Sequence, residues 1–285
     1  MAARMAGAAL VLGGGGITGA AWEIGVVAGL HAAGVDLARA DAVIGTSAGA
    51  IVGAQILSGV PIDELYSKQF RDPIGEVATH VPISTFARFL VWMLLPGEER
   101  QVRARIGRAA LHARTMPESE RKAVIRGRLP RASWPQRDLR VTAIDAESGE
   151  FVVFKRDSGV ELLDAVAASC AVPLVYPPAT IGERRFIDGG MRSIANADLA
   201  AGFDAIVALT PVGIGLRRSR TAEGQIKSLG KGIRSIVVKA DARSRKAMGT
   251  QFLDPALRAA SARAGWTQAT SVARAVAEVW ESVRA

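Results

Sequence analysis

Apolar positions along this chain fall into two kinds of run. Short blocks at residues 8–12, 42–44, 139–144, 151–154, 205–209 and 236–238 have the length and continuity of strands buried on both faces. Between them lie longer stretches with apolar residues at helical spacing. One covers 20–33, marked by Trp22, Val26 and Leu30 and stopped at Gly34; a small-residue helix over 50–57 is closed by Gly59 and Pro61. Further helices are predicted near 161–168 and 221–230, and a hairpin over 179–187 follows a turn containing Pro173, Pro177 and Pro178. The C-terminal region reads as helices, the longest over 267–283. Strands alternating with helices predict an α/β fold with a mainly parallel sheet covered on both faces.

From 61 to 138 the pattern changes. Helices near 83–95, 101–111 and 118–125 follow one another with no good strand, which reads as a helical insertion or cap within a single domain spanning 1–285. The segment 82–96 holds the most apolar run, 89–95, far short of the ~20 residues a spanning helix needs. It is open to three readings: a lid, a membrane contact or part of the core. Residues 1–12 superficially suggest a signal peptide, but a glycine run begins at Gly13 before any small-residue cleavage site. A cytoplasmic protein is the expectation, with peripheral membrane contact as its extension.

Composition narrows the chemistry. A single cysteine, Cys170, excludes an intrachain disulfide and any multi-thiolate zinc site, and is expected to pack as a small hydrophobe. Only three histidines exist, His31, His80 and His112, and none follows position 112. The net charge of +9 is uneven: residues 100–140 carry 12 basic against 3 acidic side chains, and residues 217–246 carry 10 against 2. Such segments favour anionic partners or form solvated helix faces, and no nucleic-acid-binding motif accompanies them. Beside the apolar run at 89–95, the first segment suggests contact with an anionic membrane.

Three motifs carry candidate chemistry. The loop Gly13-Gly14-Gly15-Gly16-Ile17-Thr18-Gly19 lies between a strand and a helix, and its backbone N–H groups suit a phosphate or the oxyanion of an acyl-transfer intermediate. It also satisfies G-x-G-x-x-G, which keeps a nucleotide-binding oxidoreductase as a remote alternative. The second motif, Gly45-Thr46-Ser47-Ala48-Gly49, is a G-x-S-x-G between an apolar strand and a helix, the setting in which a serine nucleophile projects from a strained turn. The third, Asp188-Gly189-Gly190, ends an apolar strand and is an ordinary turn unless Asp188 is a base. A Ser…Asp…His order would need a late histidine, which the chain lacks.

Together these residues resemble the patatin-like phospholipases. The likeness rests on the glycine loop, Gly45–Gly49, the stretch AVAASCAVPLVYPP at 165–178, and Asp188-Gly189-Gly190 followed by Asn196 and Asp198. It spans about residues 8 to 210. The resemblance implies a three-layer α/β/α fold and hydrolysis of lipid acyl esters by a serine–aspartate dyad, without cofactor, metal or histidine. Ser47 would be the nucleophile and Asp188 the base, and the backbone N–H groups of Gly14, Gly15 and Gly16 would form the oxyanion hole. In one departure, Thr18 stands where the family commonly has arginine or lysine; Arg192 is a candidate to take that role. A weakly active or non-catalytic lipid-binding member of the same fold is therefore the alternative. The sequence leaves the oligomeric state open.

Overall fold

The computed structural model describes residues 5–71, 98–213 and 218–281. The first half runs β1 (Met5–Leu12), α1 (Gly16–Ala32), β2 (Ala42–Gly45), α2 (Ala48–Ile56), α3 (Ile62–Ser67), α4 (Glu99–Leu111) and α5 (Glu118–Arg128). It continues with β3 (Asp138–Asp145), β4 (Phe151–Phe154), α6 (Leu162–Ser169), β5 (Ala179–Ile181) and β6 (Arg184–Asp188). The remainder is β7 (Phe203–Thr210), α7 (Ala222–Ser228), β8 (Arg234–Lys239), α8 (Ala242–Met248) and α9 (Arg258–Trp280). The strands form one eight-stranded sheet in the order β5-β6-β3-β2-β1-β7-β8, with β4 also paired to β3. The run from β3 to β8 is parallel, and β4, β5 and β6 add antiparallel pairs on the β3 side.

Successive strand residues point to opposite faces, and both faces are covered. On one, Ala8, Leu10 and Leu12 of β1 join a core with Trp22 of α1, Ile51 of α2 and Val166 of α6. On the other, Ala9 and Val11 pack with Ile44, Ile206 and the α7 residues Ala222 and Ile226. The mainly parallel sheet between helical layers is the architecture the apolar pattern predicts. A smaller cluster seats α4, through Val102 and Ile106, on Ile144 and Ile187 at the antiparallel side.

Two helices differ from expectation. α9 starts at Arg258, not near 267, and runs through Gly265, a contact point: a Cβ there would lie 2.3 Å from the Trp22 carbonyl oxygen. Gly25 of α1 answers it, with the Ala262 carbonyl oxygen 2.1 Å from where its Cβ would stand, so the two helices touch backbone to backbone. Helix α3 was not foreseen; its signals are Pro61 at the N-cap and Asp63 and Glu64 in the first turn, where negative charge meets the helix dipole. The expected helix over 83–95, and the lid, membrane or core readings of 82–96, lie outside the described residues.

Part of the basic 100–140 segment serves the fold. Arg100, Arg103 and Arg108 on α4 donate to the carbonyls of Ser148, Gly149 and Glu147 in the β3–β4 turn. Lys122 on α5 pairs with Glu118 and with Asp164 of α6. Among the described residues, no helix is long and apolar enough to cross a membrane.

Candidate active site

Strand register brings the three motifs together. Leu12 of β1 is level with Gly45 of β2, and Gly45 with Val141 of β3. Ser47, two residues beyond Gly45, therefore reaches the level of Ala143, whose partner across β3 is Asp188 at the end of β6. The glycine loop leaves β1 at the same level. All three motifs thus meet at the carboxyl ends of the parallel strands, where β1 has β2 on one side and β7 on the other, the place at which open α/β sheets form ligand crevices.

Ser47 holds a backbone that only glycine adopts comfortably, φ 54° and ψ −117°, at the N-cap of α2. Its neighbours explain how it is held. The Ser47 N–H donates to Ser169 Oγ at 2.9 Å, and its carbonyl accepts from Cys170 Sγ at 3.2 Å and from the Ala50 N–H at 2.9 Å. Both peptide groups of the strained residue are therefore tied down, two of the bonds coming from the end of α6. Beneath it, Thr46 Oγ1 lies 2.9 Å from Thr142 Oγ1 and accepts from Asn196 Nδ2 at 3.0 Å. The flanking glycines are sterically required: a Cβ at Gly45 would lie 2.6 Å from Ala50 Cα, and one at Gly49 would lie 2.1 Å from the Leu12 carbonyl oxygen. Gly49→Ala is expected to cost about 3 kcal/mol in urea unfolding, an overpacking penalty against backbone that has no room to move.

Asp188 is 3% exposed. Its Oδ1 accepts from the Gly190 N–H at 2.7 Å and its own N–H donates to the Ala171 carbonyl at 3.0 Å. Burial pushes the carboxyl up to about 6, against the opposing pull of the nearby Ser47 hydroxyl, the Gly190 N–H and the Arg121 charge. Cys170, buried beside it, is pushed up to about 12 and stays a thiol at neutral pH.

In the glycine loop, the Gly13 N–H donates to the Leu209 carbonyl at 3.0 Å and the Gly14 N–H to that of Ile194 at 2.9 Å. Gly15 is the N-cap of α1, and Gly16, its first residue, has φ 64°. Gly14, Gly15 and Gly16 line one cavity of about 300 Å³ together with Ser47 and Asp188. Its walls are mainly apolar, among them Ile17, Ile24, Ile51, Val172, Tyr176 and Leu253. The N-termini of α1 and α2 both border it, so two helix dipoles favour negative charge there.

Thr18 is fully buried and does not line the cavity; its N–H donates to the Phe252 carbonyl at 3.2 Å. Arg192 is not in the cavity wall either. Its guanidinium is spent on Asp198 and Asn196, with Nη1 2.9 Å from Asp198 Oδ1 and 2.8 Å from Asn196 Oδ1. The cations that do line the cavity are Arg121 and Arg128 of α5 and Arg258 of α9; nothing in the sequence sets Arg121 apart from the eleven other basic residues of 100–140. His31 and His112 are exposed and outside the cavity wall, and His80 lies outside the described residues. Residues 250–253, which also line the cavity, carried no motif that would mark them.

Fold and site together define a mainly parallel α/β protein that sets a strained serine against a buried aspartate beneath a glycine loop. The chain belongs to the patatin-like phospholipase family, whose model matches residues 10–201. Solved structures with a similar course include VipD from Legionella pneumophila, at 15% identity and TM-score 0.48, covering 95% of this chain and 67% of that one. The type III effector protein ExoU is another, at 18% identity and TM-score 0.46, covering 96% of this chain and 54% of that one. The chain thus spans about half the length of ExoU. A search of curated proteins gives no match. Family membership supports lipid-ester hydrolysis as the activity class.

Proposed function

We propose that this protein hydrolyses acyl esters of lipids through an acyl-serine intermediate, with Ser47 as nucleophile and Asp188 as its base. The observation that carries this reading is that one cavity holds the strained Ser47 together with the buried carboxyl of Asp188, whose pKa is pushed up to about 6. An ordinary aspartate, near 3.9, is a weak base for a hydroxyl; burial makes Asp188 stronger while leaving it ionised at neutral pH.

As the substrate carbonyl binds, Asp188 takes the Ser47 proton and Oγ bonds to the carbonyl carbon. The oxygen's new charge meets backbone donors. Because the Gly14 N–H is engaged with Ile194, we assign the oxyanion hole to the Gly15 and Gly16 N–H groups, with Gly14 shaping the loop beside Ser47. Collapse of the intermediate breaks the ester C–O bond, and Asp188 returns its proton to the leaving alcohol. Water then attacks the acyl-serine, giving its proton to Asp188, and release of the fatty acid restores the Ser47 hydroxyl. No step calls on a metal or a cofactor. The apolar cavity wall suits an acyl chain, and peripheral contact with anionic lipid surfaces remains part of this reading.

The expected result is free fatty acid release from short-chain phosphatidylcholine or nitrophenyl butyrate, absent in Ser47→Ala. A wild-type chain that releases none from any carboxylic ester yet binds lipid vesicles would instead identify the non-catalytic, lipid-binding alternative.

A further inference from the structure

We propose that Arg121 is an anion-recognition residue inside the catalytic cavity, selecting esters that carry a phosphate or carboxylate close to the scissile carbonyl. The proposal deepens the hydrolase reading and rests on it for the identity of the reacting ester.

Arg121 lines the same cavity as Ser47 and Asp188 and is only 7% exposed. Its Nε is buried without a hydrogen-bond partner, and among the described residues no carboxylate forms an ion pair with it. Its contact is the ring of Tyr176, with Cζ 3.5 Å from the ring centroid. Stacking of this kind uses the flat face of the guanidinium and leaves its in-plane N–H edge free for a planar or tetrahedral anion. Burial pulls the group's pKa down, yet an arginine keeps its proton, so the charge stays in the wall.

Asp188 does not neutralise that charge by contact. It accepts from the Gly190 N–H and acts on Arg121 through space only. Elsewhere in the fold arginines find carboxylates: Arg140 meets Asp138, Arg184 meets Asp145, and Arg192 meets Asp198. A buried guanidinium left unpaired is costly, and its cost is removed when an anion binds. Arg121 shares its cavity wall with Cys170, whose thiol donates to the Ser47 carbonyl, so an anion seated on it would lie beside the reacting ester. In a glycerophospholipid the phosphate stands in that relation to the acyl ester, separated from it by the glycerol backbone alone; a carboxylate on a small ester does so too.

Two readouts test this. In the first, a short-chain dialkyl ether glycerophospholipid, the matching 2,3-dialkoxypropanoate and the neutral dialkylglycerol, none with an ester to cleave, are titrated by calorimetry into Ser47→Ala. One or both anionic ligands are expected to bind at least about 30-fold more tightly than the neutral one, which identifies phosphate or carboxylate as the source, and Arg121→Gln in that background is expected to erase the preference. In the second, the ratio of kcat/KM for an anionic ester to that for a neutral ester is expected to fall about 100-fold in Arg121→Gln. Equal loss on both esters, or no preference in binding, overturns the proposal, the first assigning Arg121 to general support of the site. If the glutamine variant does not fold, Arg121→Lys decides: it keeps the charge without the planar fork, so the preference should fall about tenfold, and an unchanged preference overturns the proposal. The ether ligands do not react, so failure of the hydrolase reading, seen as turnover persisting in Ser47→Ala, is distinguishable from failure here.

Discussion

Asp188→Asn is expected to lower kcat/KM for ester hydrolysis by about 10³–10⁴-fold and to remove the acid limb of its pH profile. In the wild type the base works only when ionised. With its pKa pushed up to about 6, kcat/KM should be low at pH 5, rise through pH 6 and level off above pH 7. The same variant should be more stable than the wild type at neutral pH. The folded-state pKa, about 6, lies above the reference value of 3.8, so the folded chain holds this proton more tightly than the unfolded chain. The contribution of Asp188 is therefore most favourable below pH 4, declines between pH 4 and 6, and stays unfavourable above, by about 3 kcal/mol in total. Asparagine has no such loss. Urea unfolding of both chains at pH 4.5 and pH 8 should show the variant's advantage growing with pH; a constant difference would mean the carboxyl is not perturbed as described.

Ser47→Ala is expected to remove turnover almost entirely, by about 10⁴–10⁶-fold in kcat, because Asp188 and the glycine loop have no nucleophile left to assist. The fold should survive, since the Ser47 backbone is held by Ser169, Cys170 and Ala50 and not by its own hydroxyl. Ser47→Gly separates chemistry from strain. At φ 54° and ψ −117°, glycine should unfold about 1–2 kcal/mol less readily than alanine, with both variants equally inactive. If alanine and glycine are equally stable, the turn carries no strain.

The sequence made the parallel core legible because its strands are buried on both faces and stand out as unbroken apolar blocks, such as residues 8–12 and 205–209. Glycine spacing and the strand ends marked Ser47 and Asp188 as candidates, and the resemblance to patatin-like phospholipases implied their roles. Residues that act through register or packing left weaker traces. Ser169, inside a stretch already singled out, gives no local sign that its hydroxyl accepts from a serine 122 residues away. Arg121 resembles every other arginine on a polar helix until Tyr176 and the cavity wall surround it. Arg192 illustrates the converse: proximity in sequence to Asp188 made it attractive as a replacement cation, but Asn196 and Asp198, four and six residues on, hold it away. Gly265 gives no local sign in the sequence that another helix approaches there.

The nucleophilic role of Ser47 is tested most directly by reacting the wild type and Ser47→Ala with a fluorophosphonate and measuring the mass of each intact chain and its peptides. The account predicts one phosphonyl adduct on the wild type, mapped to the peptide containing Gly45-Thr46-Ser47-Ala48-Gly49, and none on the variant. Equal labelling of the two chains, or an adduct that maps to another serine such as Ser169, would contradict it.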